Sequence, residues 1–223
     1  MSTTKRGLFV TFEGPEGSGK STQLRRLAAR LRGEGRTVFE SAEPGGTPIG
    51  TQIRRILLDS KNLELRPTTE LLLMFAARAQ NIDEWILPAL ARGEIVLSDR
   101  FTDSTLVYQG VGRGLGSEVV YEVDRIACRG LVPDLTILID IETGLGLERA
   151  RGRNRKTNET ETRIDEQEIS FHRKVRDAYL QLASDEPARV TLIDGSRSEE
   201  IVENDVWTAM TALLSARPTT AIQ

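Results

Sequence analysis

Five short runs of β-branched or large apolar residues punctuate the chain, at residues 8–12, 37–39, 95–98, 135–139 and 190–193. Most are continuously apolar rather than alternating, the pattern of strands in a parallel sheet covered on both faces. Between them apolar positions recur at helical spacing, as in Leu24, Leu27, Ala28 and Leu31, or Val119, Val120, Val123, Ile126 and Ala127. This alternation predicts one doubly wound, three-layer α/β domain without a dividing linker. After the second strand a helix should turn Ile53, Ile56 and Leu57 inward. A longer one starts near Pro67, and Pro88 is expected to kink or end it. His172, the only histidine, falls in a charged helix beside Phe171, Val175, Tyr179 and Leu180 and reads as a surface residue, not a base.

The first run leads directly into Gly14-Pro15-Glu16-Gly17-Ser18-Gly19-Lys20-Ser21, which fits G-x-x-x-x-G-K-[ST]. A strand before it and a helix after it are the context that spacing requires. Its glycines can take positive φ, so successive backbone N–H groups turn inward around a phosphate. The following helix adds the partial positive charge of its N-terminus. In such a loop Lys20 reaches the β- and γ-phosphates and the Ser21 hydroxyl ligates Mg²⁺. The pattern implies binding of a nucleoside triphosphate.

The carboxyl ends of the later strands carry the remaining candidates, which is where open α/β sheets bind ligands. The second delivers Glu43-Pro44-Gly45-Gly46-Thr47, with Arg54 on a different face of the next helix from its apolar side. On the long helix Arg78 sits one turn from Met74 and Phe75, an arrangement able to hold a planar base and an anion together. The third strand ends in Asp99-Arg100-Phe101. Asp99 suggests the Mg²⁺-side carboxylate, and Arg100 a bidentate hold on a second phosphate. Ser104, Thr105, Tyr108 and Gln109 supply hydrogen-bonding groups that can read a base edge, as a plain polar loop would too. Beyond Gly144, Arg149, Arg151, Arg153 and Arg155 crowd together, and residues 149–163 have almost nothing to bury. They are expected to form a mobile lid over the phosphates.

Composition narrows the surroundings. The 223 residues carry a net charge of −3, which offers no overall field to nucleic acid or an anionic membrane. No apolar segment approaches the roughly 20 residues of a membrane span. The polar start, followed by only a strand-length apolar run, reads as no signal peptide. Cys128 is the single cysteine, and its helical neighbours predict a buried structural thiol. A reducing cytoplasm fits all of this.

Taken together, the residues from Phe12 to Gln23, Glu43-Pro44-Gly45-Gly46-Thr47, Met74 to Gln80, Asp99-Arg100-Phe101 through Tyr108-Gln109-Gly110, and Pro133-Asp134-Leu135-Thr136 resemble the bacterial thymidylate kinases. The resemblance implies the phosphate-loop nucleoside monophosphate kinase fold with a five-stranded parallel sheet, a homodimer, and transfer of the ATP γ-phosphoryl group to thymidine monophosphate (dTMP) with Mg²⁺. It implies that Glu16 binds the deoxyribose 3′-hydroxyl, Arg100 the acceptor phosphate, Arg54 and Arg78 the monophosphate side, and Thr105 and Gln109 the base. It also implies that the lid supplies the catalytic arginines, because Gly17 stands where some relatives carry one. This chain departs from the family pattern twice. Met74 occupies the position of a base-stacking aromatic, so either Met74 or Phe75 meets the base, and Ala42 replaces a frequent arginine. Two other classes of function are a nucleotide-dependent switch and a nucleic-acid-stimulated ATPase. A switch needs no acceptor set such as Glu16, Arg54, Arg78 and Arg100, and the net acidity opposes the second.

Overall fold

The computed structural model describes residues 6–157 and 162–216. The five runs form strands β1 (Phe9–Glu13), β2 (Val38–Ala42), β3 (Ile95–Asp99), β4 (Leu135–Asp140) and β5 (Val190–Asp194). They make one parallel sheet in the order β2-β3-β1-β4-β5. Each strand runs one or more residues past its apolar stretch. Parallel pairing carries the ladder on, as in Phe12 opposite Asp99 and Asp140 opposite Asp194, so polar residues end up at the carboxyl edge.

The helices are α1 (Lys20–Gly33), α2 (Pro48–Leu58), α3 (Pro67–Asn81), α4 (Leu87–Ala91), α5 (Thr102–Thr105), α6 (Ser117–Ala127), α7 (Thr143–Thr157), α8 (Ile169–Asp185) and α9 (Glu199–Ala216). Strand alternation divides the core in two. Val10, Phe12, Leu97, Ile137 and Ile139 pack on α1 and α9, through Leu27, Leu31, Val206 and Met210. Phe9 and Val96 face Leu71 and Phe75 of α3 and Val120 of α6, while Leu138 meets Val175 and Tyr179 of α8. The same alternation turns Thr11 and Glu13 toward the second face, where both are fully buried. Thr11 bonds Thr136 there at 2.9 Å.

Pro88 neither ends nor sharply interrupts the long helix. Residues Ile82–Ile86 widen into a π-helical turn between α3 and α4, and a second such turn, Leu106–Gly112, follows α5. The wider turn accommodates a proline that cannot donate to the carbonyl four residues back. Three expectations change. Ile56 is 48% exposed, whereas Leu57 is buried. His172 is 2% exposed, packed edge-on to Phe171 at 5.5 Å. The arginines of the expected lid continue α7, whose Leu147 and Ala150 are buried. Cys128 is buried as expected.

This layering ranks two strand positions. Ile137→Ala, in a fully buried site, is expected to lower unfolding free energy by about 2–5 kcal/mol. Leu192→Ala, at a half-exposed position of the edge strand β5, should lower it by about 0.5 kcal/mol or less. Urea midpoints check both, and equal losses would contradict the two-layer core.

Candidate active site

β1 lies between β3 and β4, so the loop after it opens at the crevice where strand order reverses. The loop is held from both sides. At Gly17, with φ 71°, an added Cβ would lie 2.0 Å from the carbonyl oxygen of Gly146 in α7. No side chain fits at position 17 while α7 packs there, so no arginine can be supplied from that point. The buried Lys20 ammonium donates to the carbonyls of Gly14 at 3.0 Å and Pro15 at 2.8 Å. Burial and the neighbouring Arg100 push its pKa down to about 8, against the opposing pull of Glu16, Asp99 and Glu13. Ser21 donates its hydroxyl hydrogen to Asp99 at the end of β3, bringing two hard oxygen donors together beside the loop.

Arg100 is the next residue, and its backbone is in the left-handed region at φ 75°. For a non-glycine residue that conformation costs on the order of 1–3 kcal/mol and persists only where the surroundings over-determine it. Here they do. Its N–H donates to Phe12 at 3.0 Å, its carbonyl accepts from Ser98 at 2.9 Å, and the following N–H of Phe101 donates to Glu13 at 2.7 Å. The guanidinium is thereby aimed back across the loop. Nη2 donates to Glu16 at 2.7 Å and to the Tyr108 hydroxyl at 3.2 Å, and Nη1 to Ser104 at 3.0 Å and Tyr179 at 3.2 Å. Burial alone would raise the Glu16 carboxyl, but Arg100, Lys20 and the Tyr108 hydroxyl hold it down at about 2. Glu13 shows the opposite balance. Burial and nearby Asp103 push it up to about 7, although Arg100, Ser104 and Tyr179 all work the other way.

Farther along the same cavity, of about 910 Å³, stand Met74, Arg78, Thr105 and Gln109. Arg78 is 2% exposed and pairs with the equally buried Glu43 at 2.5 Å. It also donates to the Phe101 carbonyl at 3.0 Å. Its Nη1 is buried with no hydrogen-bond partner among the described residues. Phe75 does not line the cavity. Its side chain belongs to the core under α3, and its ring lies 4.8 Å beneath the Arg78 guanidinium. Of the two alternatives, Met74 lines the cavity and Phe75 does not, because the helix turns Phe75 into the core. Arg54 reaches the cavity from α2 and donates to the Pro44 carbonyl at 3.0 Å.

At the opposite end α7 contributes Arg149 and Arg153, which are four residues apart and share a face. Arg149 donates to the Gly195 carbonyl at 3.1 Å, and Arg153 lies 3.7 Å from Asp165. Arg151 and Arg155 do not line the cavity; at about 100° per residue they project from the other side of α7. The end of the expected lid is also different. Residues 158–161 lie outside the described residues. Arg163 is 4% exposed, donating to the Leu57 carbonyl at 2.5 Å and to Glu70 at 2.6 Å.

Phosphate loop, strand-end arginine and base-sized recess thus open into one cavity. The family model for thymidylate kinase matches residues 12–206. The chain is 49% identical to a thymidylate kinase of Geotalea uraniireducens over 210 residues, covering 94% of this chain and 99% of that one. It is 46% identical to one of Deinococcus radiodurans, covering 92% and 97%. It also resembles a crystal structure of thymidylate kinase from Ehrlichia chaffeensis, with a TM-score of 0.73, 29% identity, and coverage of 92% of this chain and 99% of that one.

The chain belongs to the thymidylate kinase family.

Its fold is the phosphate-loop nucleoside monophosphate kinase fold, and its activity is phosphoryl transfer from ATP to dTMP. No helix among the described residues is long and apolar enough to cross a membrane. Several residues that organise this thymidylate kinase site carry little sequence signal. Glu13 and Glu43 are charges at strand ends, and only their burial distinguishes them from solvated caps. Glu70, Asp165 and Tyr179 lie in helical or polar stretches whose partners are remote in sequence. Glu13, following four strand residues, is the one that sequence could have flagged, since alternation puts it on a buried face.

In the ligand-free protein Lys20 is expected to titrate near pH 8 rather than at an ordinary lysine value. Glu16→Gln should move it lower still, because the Glu16 charge is one of those holding it up. Carbon-13 shifts of labelled lysine side chains read this, and a titration at the ordinary lysine value of about 10.4 would contradict the burial.

Proposed function

We propose that this thymidylate kinase binds ATP on residues 14–21 and dTMP between Arg100 and Arg78, and that it works by positioning and charge neutralisation without a covalent intermediate. The observation that carries this reading is Arg100. It is a partly buried guanidinium aimed at the phosphate loop and shared by Glu16 and Tyr108, with the recess at Arg78 and Gln109 beyond it.

A phosphate monoester carries close to two negative charges at pH 7, with a second pKa of about 6. It needs no general base to attack. It needs relief from the repulsion between two anions that must approach in line. Lys20 and Arg100 supply part of that relief, together with Arg149 and Arg153, which share the cavity-facing side of α7. Glu16, held ionised beside Arg100, accepts from the sugar 3′-hydroxyl. Arg54 serves the acceptor phosphate, while Met74 and Thr105 pack and polarise the base recess. We assign the chain to the branch whose arginines come from the lid, since Gly146 closes position 17 to a side chain. Closure of α7 over the loop excludes water that would otherwise intercept the phosphoryl group.

Mg²⁺ fits the donor set. Ser21 and Asp99 offer two adjacent oxygens, and among the described residues no group of three or more His, Cys, Asp or Glu forms a cage of its own. That is the arrangement of an ion held by one or two protein oxygens and substrate phosphates. When bound, it neutralises charge on the β- and γ-phosphates. A homodimer is supported by an apolar surface shared by neighbouring helices. Ile49 and Ile56 on α2, Leu72 on α3, and Val119 and Ile126 on α6 are all exposed, with α3 packed between the other two. A cytoplasmic setting accords with the single buried thiol.

ADP release from ATP·Mg²⁺ should be strong with dTMP and weak with the monophosphates of deoxycytidine and adenosine. Arg100→Ala is expected to lower it by about 10²–10³-fold. Arg149→Ala or Arg153→Ala should lower kcat by about 10²-fold, whereas Arg151→Ala and Arg155→Ala stay near the parent value. Equal effects at all four α7 positions would sink the facing-side assignment. Sedimentation of Ile126→Lys should show a monomer if the α2–α3–α6 face is the dimer contact, and an unchanged mass would remove it.

A further inference from the structure

Glu70, in the first turn of α3, is 1% exposed and takes no part in the phosphoryl transfer described above. Its Oε1 accepts from Gln109 Nε2 at 2.8 Å and from Arg113 Nε at 3.1 Å. Its Oε2 accepts from Arg113 Nη2 at 3.2 Å and Arg163 Nη2 at 2.6 Å. A buried carboxylate compensated by two guanidinium groups stays ionised, and an ionised carboxylate can only accept. The half of the Gln109 amide that faces it must therefore be the amino group. Turned over, the amide would set its oxygen against a carboxylate oxygen with no proton between them.

The consequence lies at the other end of that amide. Gln109 lines the cavity, and among the described residues no hydrogen bond ends on its Oε1. Arg78, which also lines the cavity, carries only donors, and its Nη1 has no partner among the described residues. The recess thus holds one donor and one acceptor whose identities cannot be exchanged. A 2,4-dioxopyrimidine is complementary to that pair, with a carbonyl oxygen at ring position 4 and an N–H at position 3. A 4-aminopyrimidine presents the reverse, an amino group and a ring lone pair.

We propose that Glu70 is a positioning residue for base selection: by fixing the Gln109 amide it presents an acceptor to ring position 3 and so favours thymine over cytosine. This rests on the reading of Gln109 as a base contact. A carboxylate that only stapled α3 to Arg113 and Arg163 would, when lost, weaken the protein and depress turnover of every acceptor alike. It would leave the ratio between acceptors where it was.

The test is the ratio of kcat/KM for dTMP and dCMP, with the two affinities measured by calorimetry, in the parent enzyme, Glu70→Gln, Gln109→Leu and Arg113→Gln. A glutamine at position 70 lets either end of the Gln109 amide face it. The dTMP:dCMP ratio should then fall by about tenfold or more, the scale of one hydrogen bond to a charged group. Gln109→Leu should lower the ratio as well. Arg113→Gln leaves the carboxylate paired with Arg163 and should keep it. If Glu70→Gln does not fold, the charge-balanced double variant Glu70→Gln, Arg163→Gln takes its place. A ratio that falls in Gln109→Leu but not with the Glu70 change overturns the proposal and leaves the base contact standing. An unchanged ratio in Gln109→Leu overturns the base contact and the proposal with it. A fall in Arg113→Gln as large as with the Glu70 change assigns the effect to packing and also overturns the proposal.

Discussion

The ion pair between Arg100 and Glu16, with the hydroxyls of Tyr108, Tyr179 and Ser104 around it, is the interaction on which the rest of the site depends. It ties the phosphate loop to the end of β3, and through Tyr179 it reaches α8. A partly buried pair of this kind gains little net stability, because both charges lose part of their water. Removing one partner is more damaging, because it leaves the other charge without compensation in a partly desolvated site. What the pair provides is placement. The left-handed backbone of Arg100 could not hold its geometry without the three backbone contacts to Phe12, Ser98 and Glu13.

Glu13 sits behind that cluster as a common acceptor. One oxygen takes the N–H of Phe101, and the other takes the hydroxyls of Ser104 and Tyr179. Those hydroxyls, spending their hydrogens on Glu13, turn lone pairs toward Arg100 Nη1. The same logic recurs at Glu43, which receives Arg78 and Asn81, and at Glu70, which receives Gln109, Arg113 and Arg163. Three buried carboxylates thus orient donors at the phosphate end and the base end of one cavity; Glu13 and Glu70 stand behind its lining, while Glu43 is part of it.

The sheet makes this possible. With β1 central and every strand parallel, the carboxyl ends of β1, β2 and β3 bring the phosphate loop, Glu43 and Arg100 to one edge. α7 closes the arrangement from the β4 side, where its Gly146 lies against the loop at Gly17. Two approaching backbones leave no room for a side chain there.

By itself the sequence determined the layers and the chemistry of the loop. Short apolar runs rich in β-branched residues and separated by helical patterns fit strands of a covered parallel sheet, and G-x-x-x-x-G-K-S between a strand and a helix has few other uses. Arg78, Asp99 and Arg100 were legible as well, because charges beside apolar core positions at strand or helix ends stand out. Only the tertiary structure put Met74 at the cavity and Phe75 in the core, since both are apolar neighbours and helix rotation alone sends one inward. It likewise put Arg149 and Arg153, rather than Arg151 and Arg155, on the cavity side of α7, and it buried His172. Glu70 and Arg163 were silent in the sequence, and the role of Glu13 was hidden even though strand alternation marks its position as buried, for one physical reason. A carboxylate or guanidinium at the surface and one locked in a buried network are the same residue until folding brings its partners together, 88, 39 or 93 positions away in the chain.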